Sequence, residues 1–196
     1  DTLSENFISL LKENKKLMPH LHVSIQSLDD KILKLMKRNY RAEFVVELLK
    51  KVQEEVPDSA ITADIITGFP QEEEENFWNT FENMKKINFS DFHIFPYSDR
   101  EKTAAATFTG KIEPEVKKER VKILEKLKKS KIKEFREKFL DTVQKVYIEE
   151  IKAGKAYGYT ENYLRVEVNS VSHKVADIVE VKIMSSAGDL LKGEVI

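Results

Sequence analysis

The stretch that decides the fold is Ala60-Ile61-Thr62-Ala63-Asp64-Ile65-Ile66-Thr67-Gly68-Phe69-Pro70, followed by residues 71–78, which include four consecutive glutamates. A short β-branched run that closes with Gly-x-Pro predicts a buried strand ending at a tight turn. Glutamates directly behind it favour the first turn of a helix, because carboxylates are stabilised at the positive end of the helix dipole. Strand, turn and helix form half of a βαβ unit, and such sheets bind ligands at the carboxyl ends of their strands. Asp64 is a carboxylate inside this otherwise apolar strand, so it is either hydrogen-bonded by neighbouring backbone or reserved for a ligand.

The flanking segments extend this α/β pattern. Residues 4–16 and 42–56 have apolar side chains at helical spacing, and residues 19–27 alternate apolar with polar side chains as a strand does. The pair Ser27 and Asp30 predicts a capping box that opens a further helix. A third strand over residues 92–98, halted by Pro96, completes strand–helix–strand–helix–strand, for which right-handed parallel crossovers are expected.

The second half of the chain has a different character. Residues 98–110 are polar and irregular, which predicts a functional loop. Residues 111–138 form one predicted helix with Pro114 in its first turn and carry 12 Lys or Arg against 6 Glu, an excess of six positive charges. From residue 139 four short strands are predicted, over residues 143–148, 163–168, 175–183 and 190–196. Closely spaced strands with Gly-rich turns indicate a small closed barrel of oligonucleotide-binding-fold character.

Composition excludes several classes of function. The 196 residues are 41% hydrophobic and 34% charged, with a formal net charge of −1 and no cysteine. Without cysteine the chain has no disulfide framework, no thiolate metal site and no cysteine nucleophile. No apolar run reaches the length of a membrane span and no signal pattern is present, so we expect a soluble cytoplasmic protein. Because it opens on Asp1 rather than Met, we expect a piece of a longer protein.

Three segments together resemble a known family. They are His20-Leu21-His22-Val23-Ser24-Ile25-Gln26-Ser27 with the helix behind it, Thr62-x-Asp64-Ile65-Ile66-x-Gly68-Phe69-Pro70, and His93-Ile94-Phe95-Pro96-Tyr97-Ser98. In this order and spacing they resemble the tRNA methylthiotransferases of the radical-SAM superfamily. The tail Gly158-Tyr159-Thr160-Glu161-Asn162-Tyr163 is most similar to the branch that modifies threonylcarbamoyladenosine beside the anticodon.

The resemblance implies a fold and a reaction. Residues 1–110 would be the C-terminal half of a partial (βα) radical-SAM barrel, residues 111–138 a basic connecting helix, and residues 139–196 a TRAM domain that holds tRNA. The family adds a methylthio group to carbon 2 of a modified adenosine, using S-adenosylmethionine and two 4Fe-4S clusters. Its cluster cysteines would lie in an upstream N-terminal part of the same protein. Because cluster ligation needs thiolate sulfur, we expect this chain alone to be inactive.

The resemblance also implies site residues. The strand ends would face S-adenosylmethionine, with Arg38 pairing its carboxylate and Asp64 accepting from an amine or a ribose hydroxyl. The turn at Gly68 would let the backbone approach the cofactor. Family glycines are replaced here by Leu28 and Gln71, and a common arginine by Asn39. The full set of expected cofactor-binding residues is Gln26, Ser27, Arg38, Asp64, Gly68, Pro96 and Tyr97.

Two other hypotheses compete with the enzymatic one. In the first, the barrel and the basic helix bind tRNA without chemistry. Residues 139–196 carry 7 Lys or Arg against 9 acidic residues, so this binding would need a local patch with aromatic stacking. The residues expected to bind RNA are Lys155, Tyr159, Tyr163 and Arg165. In the second, Asp64 and His93 act as acid and base without a cofactor.

Overall fold

The protein consists of five α-helices and eight β-strands within residues 5–169, 173–188 and 190–196, the part of the chain that this computed structural model describes. A single 3-10 turn lies between β3 and α5 in that part. The elements in chain order are α1 (Glu5–Glu13), β1 (His20–Gln26), α2 (Asp30–Leu35), α3 (Ala42–Glu55), β2 (Ala60–Thr67), α4 (Glu74–Lys85), β3 (Asp91–Pro96), the 3-10 turn (Ala104–Thr107), α5 (Pro114–Glu137), β4 (Val143–Lys152), β5 (Lys155–Thr160), β6 (Arg165–Asn169), β7 (Ile178–Ala187) and β8 (Leu190–Val195).

The first three strands form a parallel sheet in the order β1-β2-β3, which confirms the predicted parallel α/β arrangement. One face of this sheet is buried against helices, where Ile65 and Phe92 pack with Leu49 and Met84. The predicted buried strand is β2, and its two faces differ in burial. Its residues alternate between buried and partly buried positions from Ala63 to Thr67, and Asp64 lies on the partly buried side.

Polar side chains cap the amino ends of α2 and α4. The predicted capping box on Ser27 is wrong, since Asp29 is the N-cap of α2 and its Oδ1 accepts from the backbone N–H of Ile32 at 3.0 Å. An aspartate at this position satisfies an orphan N–H of the first turn. At the start of α4, Asn76 Oδ1 accepts from the backbone N–H of Glu73 at 3.0 Å. The acidic residues behind the Gly-Phe-Pro turn do open a helix, as predicted.

The second half folds into a closed five-stranded barrel with the strand order β4-β5-β6-β8-β7. The sequence predicted four strands and missed β5, because Gly158 has the appearance of a turn residue. A side chain at position 158 would collide with the backbone carbonyl of Tyr147 on β4. Glycine is therefore needed here for close strand pairing rather than for a turn.

Helix α5 joins the two halves by contributing to both hydrophobic cores. Leu124 is fully buried among the residues of the sheet core, whereas Phe135 is buried in the barrel core. The barrel also contacts the amino ends of the sheet strands, where Asn162 Nδ2 donates to the Asp58 carbonyl at 2.9 Å. Within the described residues, no helix combines the length and apolarity that a bilayer crossing requires.

Candidate functional site

The open face of the three-stranded sheet carries a row of hydrogen-bonded polar side chains. Asp64 lies at its centre, with 22% of its side chain exposed. Its Oδ2 accepts from the Ser24 hydroxyl at 3.3 Å and lies 3.1 Å from His22 Nε2. The other ring nitrogen of His22 lies 3.0 Å from the Thr62 hydroxyl. The carboxylate is thus fixed by side chains of β1, and it needs no partner from the backbone.

A cavity of about 500 Å³ opens at the carboxyl ends of the three strands. Asp64 and Gln26 both line it, so the ends of β1 and β2 present polar groups to one shared space. Phe95 and Tyr97 add aromatic surface from β3, and Arg100 adds a cation from the loop that follows. A pocket with apolar walls and a few convergent polar groups is the usual form of a cofactor site.

A neighbouring cavity of about 410 Å³ shares three lining residues with the first, namely Gln26, Ile66 and Ala105. Arg38 lines this second cavity and is exposed. Two guanidinium groups, those of Arg38 and Arg100, therefore border adjoining spaces that meet at Gln26. Either can offer a planar, bidentate partner to a carboxylate or a phosphate.

The backbone at Gln26 explains why its side chain points toward the cavity. Its φ is +71°, and the pairing of β1 with β2 is irregular between Val23 and Gln26. Such a break re-aims the residue at the end of a strand. The hydroxyl of Tyr40 donates to the carbonyl of Ile25 at 3.1 Å, which holds the adjacent peptide in place.

The loop over residues 98–110 is ordered by contacts rather than by regular structure. The Lys111 ammonium donates to Asp99 and also to the carbonyls of Ala105 and Ala106, at 3.0 and 3.1 Å. The Tyr97 hydroxyl donates to Asp99 at 3.0 Å. Partial burial, and then this bond, raise the pKa of Tyr97 above its ordinary value. Lys111 thus holds the 3-10 turn over the cavity.

Two residues expected at the cofactor do not line either cavity. The Ser27 side chain is fully buried and lies 3.1 Å from the Thr80 hydroxyl on α4. Gly68, at φ +76°, is covered by the side chain of Lys117. The physical reason is the same for both, since each lies on the helix-covered side of the sheet end. For Ser27 and Gly68, the expectation of facing a cofactor does not agree with their positions.

The turn that contains Gly68 is fixed by a buried ion pair. Glu72 Oε2 accepts from the Gly68 N–H at 2.6 Å and from Arg120 Nη1 at 2.6 Å. Burial raises the pKa of the Glu72 carboxyl, against the opposing effects of these donors. Arg120 also donates to the Glu72 carbonyl at 2.9 Å. The long helix α5 therefore sets the position of the strand end that carries Asp64.

The expected RNA-binding residues on the barrel lie on its outer surface. Lys155 is paired with Glu167 at 2.6 Å, and this hydrogen bond raises the pKa of Lys155 and lowers that of Glu167. Arg165 lies over the ring of Tyr157, with its guanidinium carbon 5.8 Å from the ring centroid. A basic and aromatic patch is therefore present, although one of its cations is already neutralised.

The two remaining barrel residues form a ring stack with the sheet. Tyr163 stacks on Tyr159 with centroids 4.8 Å apart and on His20 of β1 with centroids 5.0 Å apart. Tyr163 has a φ of +68° and is 60% exposed. Its ring faces are thus engaged within the protein, and its edge and hydroxyl are what it presents to solvent.

Sequence reasoning missed several side chains of this site. Arg100 and Phe95 line the cavity, and His22 with Ser24 fixes the carboxylate of Asp64. The alternation of polar residues in β1 was the available signal for His22 and Ser24. Asp64 and His93, the proposed acid–base pair, are direct register partners across β2 and β3, yet it is His22 that bonds the carboxylate.

A comparison with protein families identifies a superfamily that part of the chain matches. Residues 1–84 match the model of the Radical SAM superfamily. This region includes β1 and β2, whose carboxyl ends line the cavity.

Individual relatives of known function are consistent with this superfamily and indicate a narrower family within it. The chain is 34% identical over 98% of its length to the threonylcarbamoyladenosine tRNA methylthiotransferase MtaB of Bacillus subtilis, covering 44% of that protein. It is 34% identical over 99% of its length to the tRNA-2-methylthio-N(6)-dimethylallyladenosine synthase of Aquifex aeolicus, again covering 44% of it. The MtaB of Aquifex aeolicus is 39% identical over 84% of the chain. The resemblance to the radical-SAM tRNA methylthiotransferases is confirmed, and the chain spans less than half the length of these relatives.

Proposed function

We propose that this chain is the C-terminal part of a cytoplasmic tRNA methylthiotransferase that adds a methylthio group to carbon 2 of a modified adenosine beside the anticodon. Threonylcarbamoyladenosine is the proposed substrate, in line with the name of the Bacillus subtilis relative. The observation that carries the proposal is the shared cavity of Gln26 and Asp64 at the ends of two parallel strands. A polar rim at this edge is where α/β folds place their ligands.

The residues around the cavity fit S-adenosylmethionine. The carboxylate of Asp64 can accept a hydrogen bond from an amine or a ribose hydroxyl. The guanidinium group of Arg38 or Arg100 can donate two hydrogen bonds to the carboxylate of the methionine part. Phe95, Pro96 and Tyr97 give a flat apolar wall against which an adenine can lie. When bound, the cofactor supplies the radical chemistry of the reaction. The chain's own residues hold and orient it.

The residues present do not fit an iron–sulfur cluster. Such clusters are held by cysteine thiolates, and the sequence has none. Within the described ranges, no three His, Asp or Glu side chains converge as metal ligands either. We therefore propose that the clusters belong to another part of the same protein, and that this chain alone does not turn over.

The edge of β1 is the proposed place for that upstream part. Within the part of the chain that the structure describes, β1 has a sheet neighbour on one side only, and a groove of about 940 Å³ runs along it. Phe44, at the groove, is 55% exposed, and Leu21 and Leu48 also line it. An unpaired strand edge beside apolar surface favours the addition of a further strand. Upstream βα units would pair with β1 and complete the barrel.

We further propose a division of the chain into three parts with different tasks. Residues 1–110 would hold the cofactor, residues 111–138 would connect, and residues 139–196 would serve as a TRAM domain that binds tRNA. Lys155 and Arg165 would contact phosphates, and Tyr159 with Tyr163 would offer a ring edge to a base. The closed barrel supports the alternative of a tRNA-binding module without chemistry, because its strand pairing needs no upstream segment.

The proposed function is tested with a fusion protein. The part of the Bacillus subtilis relative that precedes the matched region is joined to this chain and expressed in cells lacking that enzyme. Mass spectrometry of tRNA nucleosides then measures the methylthiolated product. We expect product from the fusion and a roughly tenfold to hundredfold loss on Asp64→Asn, since hydrogen bonds to charged groups contribute about 1.5–3 kcal/mol.

Asp91→Asn is the matched control for this substitution. Asp91 lies at the amino end of β3 and pairs with Lys128 at 3.0 Å, away from the cavity. We expect its fusion to keep close to full product. A folded fusion with loaded clusters and no product contradicts the proposed function. Equal losses from the two substitutions contradict the cofactor role of Asp64.

A further inference from the structure

Helix α5 carries a row of lysines on its solvent side. Lys118, Lys122, Lys126 and Lys129 are all exposed and follow one another at intervals of four, four and three residues. This spacing places them on one face of the helix, along about 16 Å of its axis at 1.5 Å per residue. We call these four residues the lysine row.

Other lysines of the same helix have structural partners. Lys117 Nζ donates to the Tyr97 carbonyl at 3.1 Å, Lys128 pairs with Asp91 at 3.0 Å, and Lys131 donates to the Lys85 carbonyl at 2.8 Å. Across residues 5–169, 173–188 and 190–196, no ion pair or hydrogen bond of the side chain joins a member of the lysine row to an acidic residue. The fold therefore uses the inward lysines and leaves the row unneutralised.

The row is also distinct from the helix faces that stabilise the protein. The apolar positions Leu124 and Phe135 are buried in the two cores, and the ion pair of Arg120 is buried beside Phe77. Four like charges on neighbouring turns repel one another, which costs some helix stability. Glu125 lies within the span of the row, so the four lysines give this face of the helix an excess of positive charge in a chain whose formal net charge is −1.

We propose that the lysine row binds the phosphate backbone of a helical RNA stem, as a second contact outside the barrel. The proposal rests on the proposed function for its choice of RNA as the polyanion. A straight row of ammonium groups on a rigid helix matches a polymer whose charges are regularly spaced along a line. Lysine ammonium groups recognise phosphates as point charges and read no sequence, so the contact would position the RNA.

The surroundings of the row favour a duplex backbone over other polyanions. Unpaired bases are held by stacking on exposed aromatic rings, and the one aromatic residue of α5, Phe135, is buried. Membrane-surface helices insert an apolar face between lipid headgroups, but the apolar side of α5 is taken up by the two cores. Base stacking and lipid insertion are therefore both unavailable at this surface.

The test compares two variants that each lose four positive charges. The row variant changes Lys118, Lys122, Lys126 and Lys129 to Gln. The control variant changes four exposed lysines of the amino-terminal part of the chain to Gln, namely Lys15, Lys16, Lys34 and Lys50. Affinity of the full chain for a fluorescent synthetic RNA hairpin is measured over a series of salt concentrations. Circular dichroism confirms that both variants are folded.

Log affinity falls as log salt concentration rises, and we expect the row variant to reduce the magnitude of this negative slope by about 3. Each phosphate contact contributes close to one unit to it. The control variant should keep the slope of the wild type, and a variant with arginine at the four row positions should keep it too. A single-stranded oligonucleotide of the same length should show a smaller difference between the two glutamine variants.

Three results would overturn the proposal. They are an unchanged slope in the row variant, an equal loss in the control variant, and row-dependent binding to anionic phosphatidylserine vesicles with none to the hairpin. Because the assay needs neither cofactor nor cluster, its outcome is independent of whether the fusion protein makes methylthiolated tRNA. Failure of the lysine row and failure of the proposed function are thus separate results.

Discussion

The three-stranded sheet and the five-stranded barrel differ in their strand edges. The barrel closes on itself, so every strand from β4 to β8 has a neighbour on both sides. In the sheet, β1 and β3 each have one neighbour among the described residues, and one face carries the hydrogen-bonded side chains of His22, Ser24 and Asp64. Closure removes edges, whereas an open sheet keeps them available to another chain segment.

This difference coincides with the location of the candidate site. Gln26, Asp64 and Tyr97 are on the open sheet, at the strand ends and on the polar side. The barrel has its own buried apolar core and presents Lys155 and Arg165 outside. The open sheet thus holds the proposed cofactor site, and the closed barrel carries the proposed RNA-binding surface.

The largest expected effect tests whether the barrel depends on α5. Phe135 is 1% exposed in the barrel core, and its ring lies 5.3 Å from that of Phe139. Phe135→Ala removes this ring and leaves a cavity, so we expect a loss of about 3–5 kcal/mol in the free energy of unfolding measured with urea. Val116→Ala, on the exposed side of the same helix, should change it by about 0.5 kcal/mol at most. Similar values for the two variants would show that the barrel is stable without α5.

A somewhat smaller effect tests how α5 holds the sheet end. Arg120→Met leaves the buried Glu72 carboxylate without its cation, which we expect to cost about 3 kcal/mol in urea unfolding. The value lies at the low end for such pairs because Glu72 keeps the Gly68 N–H and the Thr67 hydroxyl as donors. The double variant with Glu72→Gln should recover part of the loss. A double variant that is no more stable than Arg120→Met would contradict this account.

The smallest effect concerns the contact between the two halves. Burial, with a smaller contribution from His22, lowers the pKa of His20 below its ordinary value of 6.5. The unfolded chain then binds a proton near pH 6.5 that the folded chain does not, so stability is lost as the pH falls through this value toward the folded pKa. We expect His20→Phe to keep the stack on Tyr163 and to reduce the loss of stability between pH 7 and pH 5.

The effect of His20 should be below about 1 kcal/mol, since the site is half-exposed and screened by solvent. Urea unfolding at a series of pH values measures it. A His20→Phe variant that loses as much stability as the wild type between pH 7 and pH 5 would show that His20 has no special role at the contact.

Much of this architecture could be predicted from local patterns. The Gly-Phe-Pro turn ended β2, the glutamates behind it opened α4, and Pro114 began α5. The shared position of Gln26 and Asp64 was also predicted, because parallel strands end at the same edge of a sheet. Strand β5 was missed because a glycine needed for close strand approach has the same appearance in a sequence as a glycine needed for a turn.

The sequence by itself determined the order of elements, the two-part organisation and the polar strand ends, because these depend on periodicity and on residues close together in the chain. Only the tertiary structure decided which side chains share a space. It paired Asp64 with His22 across about 40 residues, joined Glu72 to Arg120 and turned Ser27 away from the cavity. Such contacts depend on where strands and helices pack, which no local pattern encodes.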